Sequence, residues 1–488
     1  MIFNGASFAF NDLGLGDLKF ECVYPTSNNY FIEKSPDECQ FSMLRNITET
    51  PNSSSYISIE KCTQFVYSPG EVFETSAVSR FDVVCENKFI IKLDLFLYLL
   101  GGFTSYISLG HVADVIGRKK VVAGILLLII LSEISIILVH NLTIFLLCRF
   151  IEGYFSAGIY LLSFTTSIEF ALHPWRDLIG VIINAFFGCS LIIVTLNSWI
   201  FREWIPYVVF SIIMYCIPPL YIIVFAIESP RWLYVKRPRE FSRFINSHFK
   251  SSPELISDDI KHCLEQRCAK VDVGKLKSES LTTVLGNTKI LCNVIFQICF
   301  SISGYLVFFG VLFGVSVFEL NPHYYYLLLG IAEIFGSALF FMMSKFLSRR
   351  LIHFTGFFFA GISCVLAGIM PKSSTYIPII YVAVVLCKLF STVILSNNYI
   401  WISELLPTSH RALLTGLTIS AGRLAIISIP YIKLLTEYIW HPLTPLCLGI
   451  SAIISSLFCM LVQETKNVEL IDTITKPPVD IEMKDGDK

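Results

Sequence analysis

Leu413–Leu435, LLTGLTISAGRLAIISIPYIKLL, is an unbroken apolar run with one arginine, Arg423, close to its middle. A helix of about 20 such residues crosses roughly 30 Å of hydrocarbon. An arginine at that depth costs roughly 2.5–3.5 kcal/mol on insertion scales and normally faces a protein interior or a water-filled cavity. The stretch therefore predicts a membrane-spanning helix that presents Arg423 to an enclosed space.

The surrounding composition agrees. The chain has 488 residues, of which 54% are hydrophobic and only 15% charged. Soluble domains carry about 25% charged residues, so the composition excludes an ordinary soluble globule and predicts an all-α integral membrane protein. The net charge of −1 gives no global field for nucleic acid or an acidic partner. Most of the fifteen cysteines lie in apolar runs, where a thiol behaves as a small hydrophobe.

Apolar runs recur near 89–109, 121–139, 142–168, 178–200, 205–227, 288–313, 324–343, 352–370, 377–400, 413–435 and 443–463. Each is long enough to span, which predicts about eleven full transmembrane helices. Residues 1–13 are apolar but too short to span, and are expected to form a partial first helix. Residues 14–88 form a polar, irregular segment with Cys22, Cys39, Cys62 and Cys85 and the glycosylation sequons at Asn46 and Asn52. Cysteines, sequons and scarce Lys/Arg together predict a disulfide-stapled extracellular loop; four cysteines allow three pairings. Between the transmembrane halves at 89–230 and 288–463 lies a linker, 231–287. From Arg231 to Ser280 it holds eleven Lys/Arg against seven Asp/Glu. The short basic connections fall on the same side as this linker, so the positive-inside rule places it in the cytosol, together with the tail 464–488. A linker between two nearly equal sets of spans is the pattern of repeat-built transporters.

Charge also clusters at the ends of the runs. Gly110-His-Val-Ala-Asp114-Val-Ile-Gly117-Arg118-Lys119-Lys120 follows the first full span, and Arg349-Arg350 stands at the matching place in the second half. Arg149 opens the third full span and Glu169 closes it; Glu228 and Arg231 close the fifth, and Glu404 and Arg411 the ninth. Carboxylates beside basic turns are suited to charge-assisted contacts with helix ends. They predict an inner-face network that latches and releases the bundles. Simple snorkelling of charges at the interface is the plainer explanation. No HExxH, GxSxG or P-loop pattern is present, and no His/Cys cluster has metal spacing, so an enzyme is not expected.

These residues carry a resemblance. The GHVADVIGRKK segment, RFIEG from Arg149, ESPRWL from Glu228, Lys388 ahead of SELLPTSHRA, and QETKNVELIDTI resemble the organic cation/anion/zwitterion transporters, solute carrier family 22 of the major facilitator superfamily. The resemblance covers nearly the whole chain from about Phe10. It implies a major facilitator fold of two six-helix halves around a central aromatic cavity. Departures are the shortened first helix, Val115 where the family usually has arginine, and four loop cysteines where many members have six. The resemblance places Arg423 at a charge-selecting position, where arginine accompanies anion or zwitterion carriage and aspartate accompanies cations. It implies cavity roles for Phe308, Phe309 and Glu333, with Tyr399 a further lining candidate; Lys388 is expected to pair with an acid. Ser337 replaces the lysine that several anion carriers show. A structural arginine paired with Glu333 is the alternative for Arg423.

The expected function is a polyspecific uniporter or exchanger of small organic anions or zwitterions in the plasma membrane, working by alternating access. The alternatives are an organic cation carrier drawing on Glu152 and Glu333, and a truncated chain that does not transport. Expected partners are small organic solutes and the lipid bilayer, with a homo-oligomer left open; no cofactor and no metal are required.

Overall fold

The computed structural model describes residues 20–22, 30–34, 39–45, 56–62, 64–68, 74–170, 176–225, 227–230, 232–233, 237, 240–241, 288–405, 411–440 and 442–465. Asn46, Asn52, Arg231 and the partial first helix at 1–13 lie outside these residues, as do the side chains of Cys22 and Arg411.

Membrane helices dominate. In chain order they are α1 (Phe89–Ile116), α2 (Arg118–Leu138), α3 (Leu142–Phe170), α4 (Arg176–Ile200) and α5 (Trp204–Phe225), then α6 (Thr288–Leu312), α7 (Pro322–Phe346), α8 (Arg349–Ile369) and α9 (Ile377–Leu405). The last are α10 (Arg411–Ile426), α11 (Ile429–Tyr438) and α12 (Leu443–Cys459). Among the described residues nine helical spans are long and apolar enough to cross a membrane, with the α10–α11 stretch Leu414–Lys433 counted as one, and two shorter apolar helices, at Trp204–Pro219 and Leu443–Cys459, make eleven.

Two readings of helix boundaries change. The segment from Gly110 to Lys120 is no loop: α1 runs to Ile116, α2 begins at Arg118, and only Gly117 stands between. Its φ of +117° is a conformation that glycine adopts without strain. The run Leu413–Leu435 is not one helix either. It breaks at Ile427–Ser428: Pro430 has no N–H to bond the Ile426 carbonyl four residues back and its ring crowds that carbonyl, so the first helix ends at Ile426. Arg423 therefore lies in the last turn of α10, where the helix dipole favours a cation.

The extracellular-type segment is also more regular than its polarity indicated. Phe20–Cys22 pairs antiparallel with Phe65–Tyr67, and Tyr30–Lys34, Gln40–Arg45 and Tyr56–Lys61 form a three-stranded antiparallel sheet. A Cys39–Cys85 disulfide ties this sheet to the turn that leads into α1, and Cys62 is disulfide-bonded as well.

Glycines set how closely the helices cross. In a bilayer the close approach of backbones replaces much of the hydrophobic drive for association. Gly153 on α3 faces the Tyr98 carbonyl of α1, and Gly101 faces the Phe150 carbonyl in return, so a side chain at either would meet backbone. In the second half Gly361 of α8 and Gly449 of α12 oppose each other, a Cβ on either standing 2.8 Å from the other's carbonyl oxygen. Across the two halves α4 packs on α7 through Gly188 and Gly330, where the corresponding distances are 2.7 and 2.8 Å. Further cross-half contacts among the described residues bring α10 and α11 against α1, and α9 against α4. These crossings leave a central space between the halves.

Candidate functional site

Side chains from both halves line that space: Tyr160, Asn184 and Phe187 from α3 and α4, and Tyr305, Phe308, Phe309, Glu333, Thr392, Leu395, Tyr399 and Arg423 from the second half. Arg423 is surrounded by rings. Its guanidinium carbon lies 4.7 Å from the Tyr106 ring centroid, 4.9 Å from Tyr305, 5.2 Å from Phe309 and 5.9 Å from Tyr160. Cation–π attraction of this kind contributes about 0.5–2 kcal/mol per ring, more as water is excluded. Its Nη2 donates to the Tyr106 hydroxyl at 2.7 Å, whereas its buried Nε has no hydrogen-bond partner among the described residues. No carboxylate among the described residues approaches Arg423 within ion-pair distance.

Glu333 is already neutralised. Lys388 on α9 reaches its carboxylate at 2.8 Å, and the Thr392 hydroxyl donates to it at 3.0 Å. The Lys388 ammonium also stands 3.1 Å above the centre of the Phe308 ring. Both partners are buried, so the pair contributes almost no net charge to the cavity. The alternative pairing of Arg423 with Glu333 is thus not formed. Tyr399 hydrogen-bonds Tyr305 through their hydroxyls at 2.5 Å.

Sequence reasoning missed Tyr106, Tyr160, Tyr305 and Asn184. Polar side chains inside apolar runs were the available signal, but 21 tyrosines made it unselective. Asn184 donates to Ser396 of α9 at 2.9 Å. Together with Arg423–Tyr106, this joins the two halves at the level of the cavity. In this conformation the space measures about 30 Å³ for water centres. That is room for two or three waters, so an organic solute needs the halves to part.

The charged helix ends form two clusters, each inside one half. In the first, Arg118 makes two hydrogen bonds to Glu169, at 3.0 and 2.8 Å, and pairs with Asp114 at 3.0 Å. The Glu228 carboxylate accepts the backbone N–H of Arg118 at 2.8 Å and of Lys119 at 3.1 Å, so it caps the start of α2. Ser229 donates to Glu169 at 2.6 Å, and Trp232 donates from its indole to the Asp114 carbonyl at 2.9 Å. The second cluster repeats the scheme. Glu464 accepts the N–H groups of Arg349 and Arg350 at 3.0 and 3.1 Å, Arg349 binds Glu404 at 3.1 Å, and Thr465 donates to Glu404 at 2.6 Å. A carboxylate on the free N–H groups of a helix start is favoured by the helix dipole. Gly117 leaves room for it: a Cβ there would stand 2.7 Å from Glu228 Oε2. Gly110 has no such close contact, with only a Leu161 methyl at 3.8 Å from where its Cβ would lie.

Arg149 belongs elsewhere. It stands twenty positions before Glu169 on α3, about 30 Å along the helix at 1.5 Å per residue, and so lies far from the charged helix ends. There it is buried, with Asp94 of α1 at 3.1 Å and with Glu152 as a second partner. Glu152 is thus held on Arg149 and does not line the cavity.

The fold and this site can be set beside known proteins. The family model described as the Major Facilitator Superfamily matches residues 89–430, more than two thirds of the chain. Mouse solute carrier family 22 member 3 is 24% identical over 88% of this chain and 79% of its own length. The fruit fly organic cation transporter protein is 24% identical, covering 93% and 86%. Human solute carrier family 22 member 7 is 25% identical, covering 85% and 75%. Among solved structures, a proton:xylose symporter superposes with a TM-score of 0.59 at 16% identity over 80% of this chain and 89% of its own. The human organic anion transporter MFSD10 gives 0.54 at 12%, covering 78% and 87%. Two helical halves around a central cavity, the capped helix starts repeated in each half and the match across 89–430 lead to one conclusion: this multi-pass membrane chain belongs to the Major Facilitator Superfamily, whose members are secondary transporters.

Proposed function

We propose that the chain carries small organic anions or zwitterions across the plasma membrane by alternating access, binding them between its halves at Arg423. The observation that supports this is the guanidinium's setting among the described residues: rings on several sides, one neutral hydroxyl partner, a buried Nε with none, and no carboxylate at ion-pair distance. Such a group binds a carboxylate or sulfonate through charge-assisted hydrogen bonds and raises the cost of a nearby cation. The aromatic lining supplies apolar contact without fixing one ligand shape, which suits broad selectivity. Seven relatives, two of them solute carrier family 22 member 3 and five member 7, carry names that specify no charge, so charge preference rests on the site itself.

Cation carriage is the second reading, because Glu333 lines the same cavity and one relative is named an organic cation transporter. It is weakened by Lys388, which occupies the Glu333 carboxylate. Purified protein in liposomes decides between them. Uptake of radiolabelled benzenesulfonate is expected, and Arg423→Ala is expected to lower it by about 10- to 150-fold, the equivalent of losing hydrogen bonds to a charged group. Tetraethylammonium uptake that ignores benzenesulfonate and survives Arg423→Ala would establish the second reading and end the first.

A further inference from the structure

Arg423 separates two spaces. The larger is the aromatic cavity just described; the smaller, on the side of α1 and α3, is lined by Tyr98, Gly102, Tyr106, Gly153 and Ala157. A guanidinium enclosed between them needs an acceptor whenever the halves close, because leaving a buried charged donor unpaired is expensive. When the carrier closes around an anion, the anion is that acceptor. In the conformation seen here the cavity is too narrow for an organic anion, and the acceptor is the Tyr106 hydroxyl, which comes from the opposite half.

Of the four ring residues around Arg423, only Tyr106 accepts a hydrogen bond from it: the Tyr305 hydroxyl is bonded to Tyr399 at 2.5 Å, the Tyr160 hydroxyl donates to Asn184 at 3.4 Å, and Phe309 has no oxygen. We infer that Tyr106 is the carrier's internal stand-in for substrate: its hydroxyl satisfies Arg423 when the empty halves close, and the substrate's anionic group displaces it when they close loaded. This rests on the anion reading above. It also assigns Tyr106 a step. Net uptake requires the empty carrier to close and return, and that return uses the Tyr106 hydroxyl. Exchange has a loaded carrier on both strokes and does not use it. The chain is thereby built for net transport, and one hydroxyl separates net transport from obligatory exchange.

Tyr106→Phe tests this because it keeps the ring that stacks on Arg423 and removes only the hydroxyl. Two rates are compared in proteoliposomes with radiolabelled benzenesulfonate: net uptake into empty vesicles, and exchange into vesicles preloaded with the unlabelled compound. Net uptake is expected to fall by about tenfold or more, equivalent to about 1.4 kcal/mol on the return step, from the loss of a hydrogen bond to a charged group. Exchange is expected to fall several-fold less than net uptake, since on both strokes the anion and not the hydroxyl satisfies Arg423, so the ratio of exchange to net uptake rises. Tyr106→Gln returns an acceptor oxygen without the ring and is expected to recover part of the net rate, which separates the hydroxyl's chemistry from packing. Equal loss of both rates, or unchanged net uptake, overturns the inference while leaving the anion reading in place. A wild-type protein that neither takes up nor exchanges benzenesulfonate overturns both.

Discussion

Lys388→Met offers the sharpest test of how the second half is held together. Lys388 and Glu333 are both buried and paired at 2.8 Å, with the Thr392 hydroxyl as the carboxylate's other partner. Removing the ammonium leaves Glu333 facing Phe187, Phe308 and a single hydroxyl. Breaking a buried pair from one side costs about 3–5 kcal/mol, most of it the uncompensated charge left behind. At 1.36 kcal/mol per tenfold, this is roughly a 10²–10⁴-fold change in the folded-to-unfolded ratio. For a cooperative unit of 150–250 residues, at about 2–4 °C per kcal/mol, the melting temperature falls by roughly 6–20 °C. Replacing both partners should remove the penalty, because a buried pair exchanged for uncharged groups of similar volume is often neutral in stability. Glu333→Gln/Lys388→Met is therefore expected to melt within a few degrees of wild type. Far-UV circular dichroism of detergent-purified protein on heating reads all the variants. A Lys388→Met protein that melts with wild type, or a double variant no better than the single one, would refute the reasoning.

Three further expectations follow from the packing. Gly117→Ala forces a residue with a Cβ to φ of +117° and pushes that Cβ against Glu228, so it should destabilise by about 1–3 kcal/mol or more in the same melting assay. Glu228→Gln and Glu464→Gln each weaken one helix cap by about 1 kcal/mol. Because the two clusters lie in different halves of the fold, their costs should add within about 0.5 kcal/mol, and a clear departure would mean that they are coupled. Gly188→Val puts a branched side chain 2.7 Å from the Gly330 carbonyl at the crossing between halves; benzenesulfonate uptake should be lost while each half still folds, and intact uptake would show that the crossing is not needed.

What the sequence revealed depended on range. Spans were legible because run length alone encodes them, and a basic linker between them divides the chain. Local turns were harder. The apolar run through Ile426, Ile427 and Ile429 hides the break before Pro430, since hydropathy averages over the very residues that leave the helix. The short strands escaped because their loop is polar overall, although Tyr56–Lys61 is rich in residues that favour strands. Arg149 was grouped with the inner-face charges by its motif, yet helix rise alone places it about 30 Å from Glu169. Pairings were the least legible of all. Nothing in the spacing of Glu333 and Lys388 on α7 and α9 says that they meet, and nothing singled out Tyr106 among the tyrosines. Arg423 was recognisable because a charge in hydrocarbon is costly enough to require an explanation. Its neutral partners cost little and left no such mark.

The distribution of strong and weak contacts indicates where the molecule moves. Within each half, ion pairs and helix caps join successive helices: Arg118 to Glu169 with Glu228 on α2, and Arg349 to Glu404 with Glu464 on α8. The Arg149–Asp94 and Lys388–Glu333 pairs add buried bonds inside the first and second halves respectively. Between the halves the polar contacts at cavity level are of another kind, Arg423 on a tyrosine hydroxyl and Asn184 on a serine, beside glycine crossings that let backbones slide. Breaking a hydrogen bond between neutral groups costs about 1 kcal/mol and one from a charged group about 1.5–3, against about 3–5 for a buried ion pair. Thermal motion therefore opens the seam between the halves before it opens either half. A solute that supplies Arg423 with a better acceptor than Tyr106 acts on the weakest part of the structure, and that is where a carrier must yield.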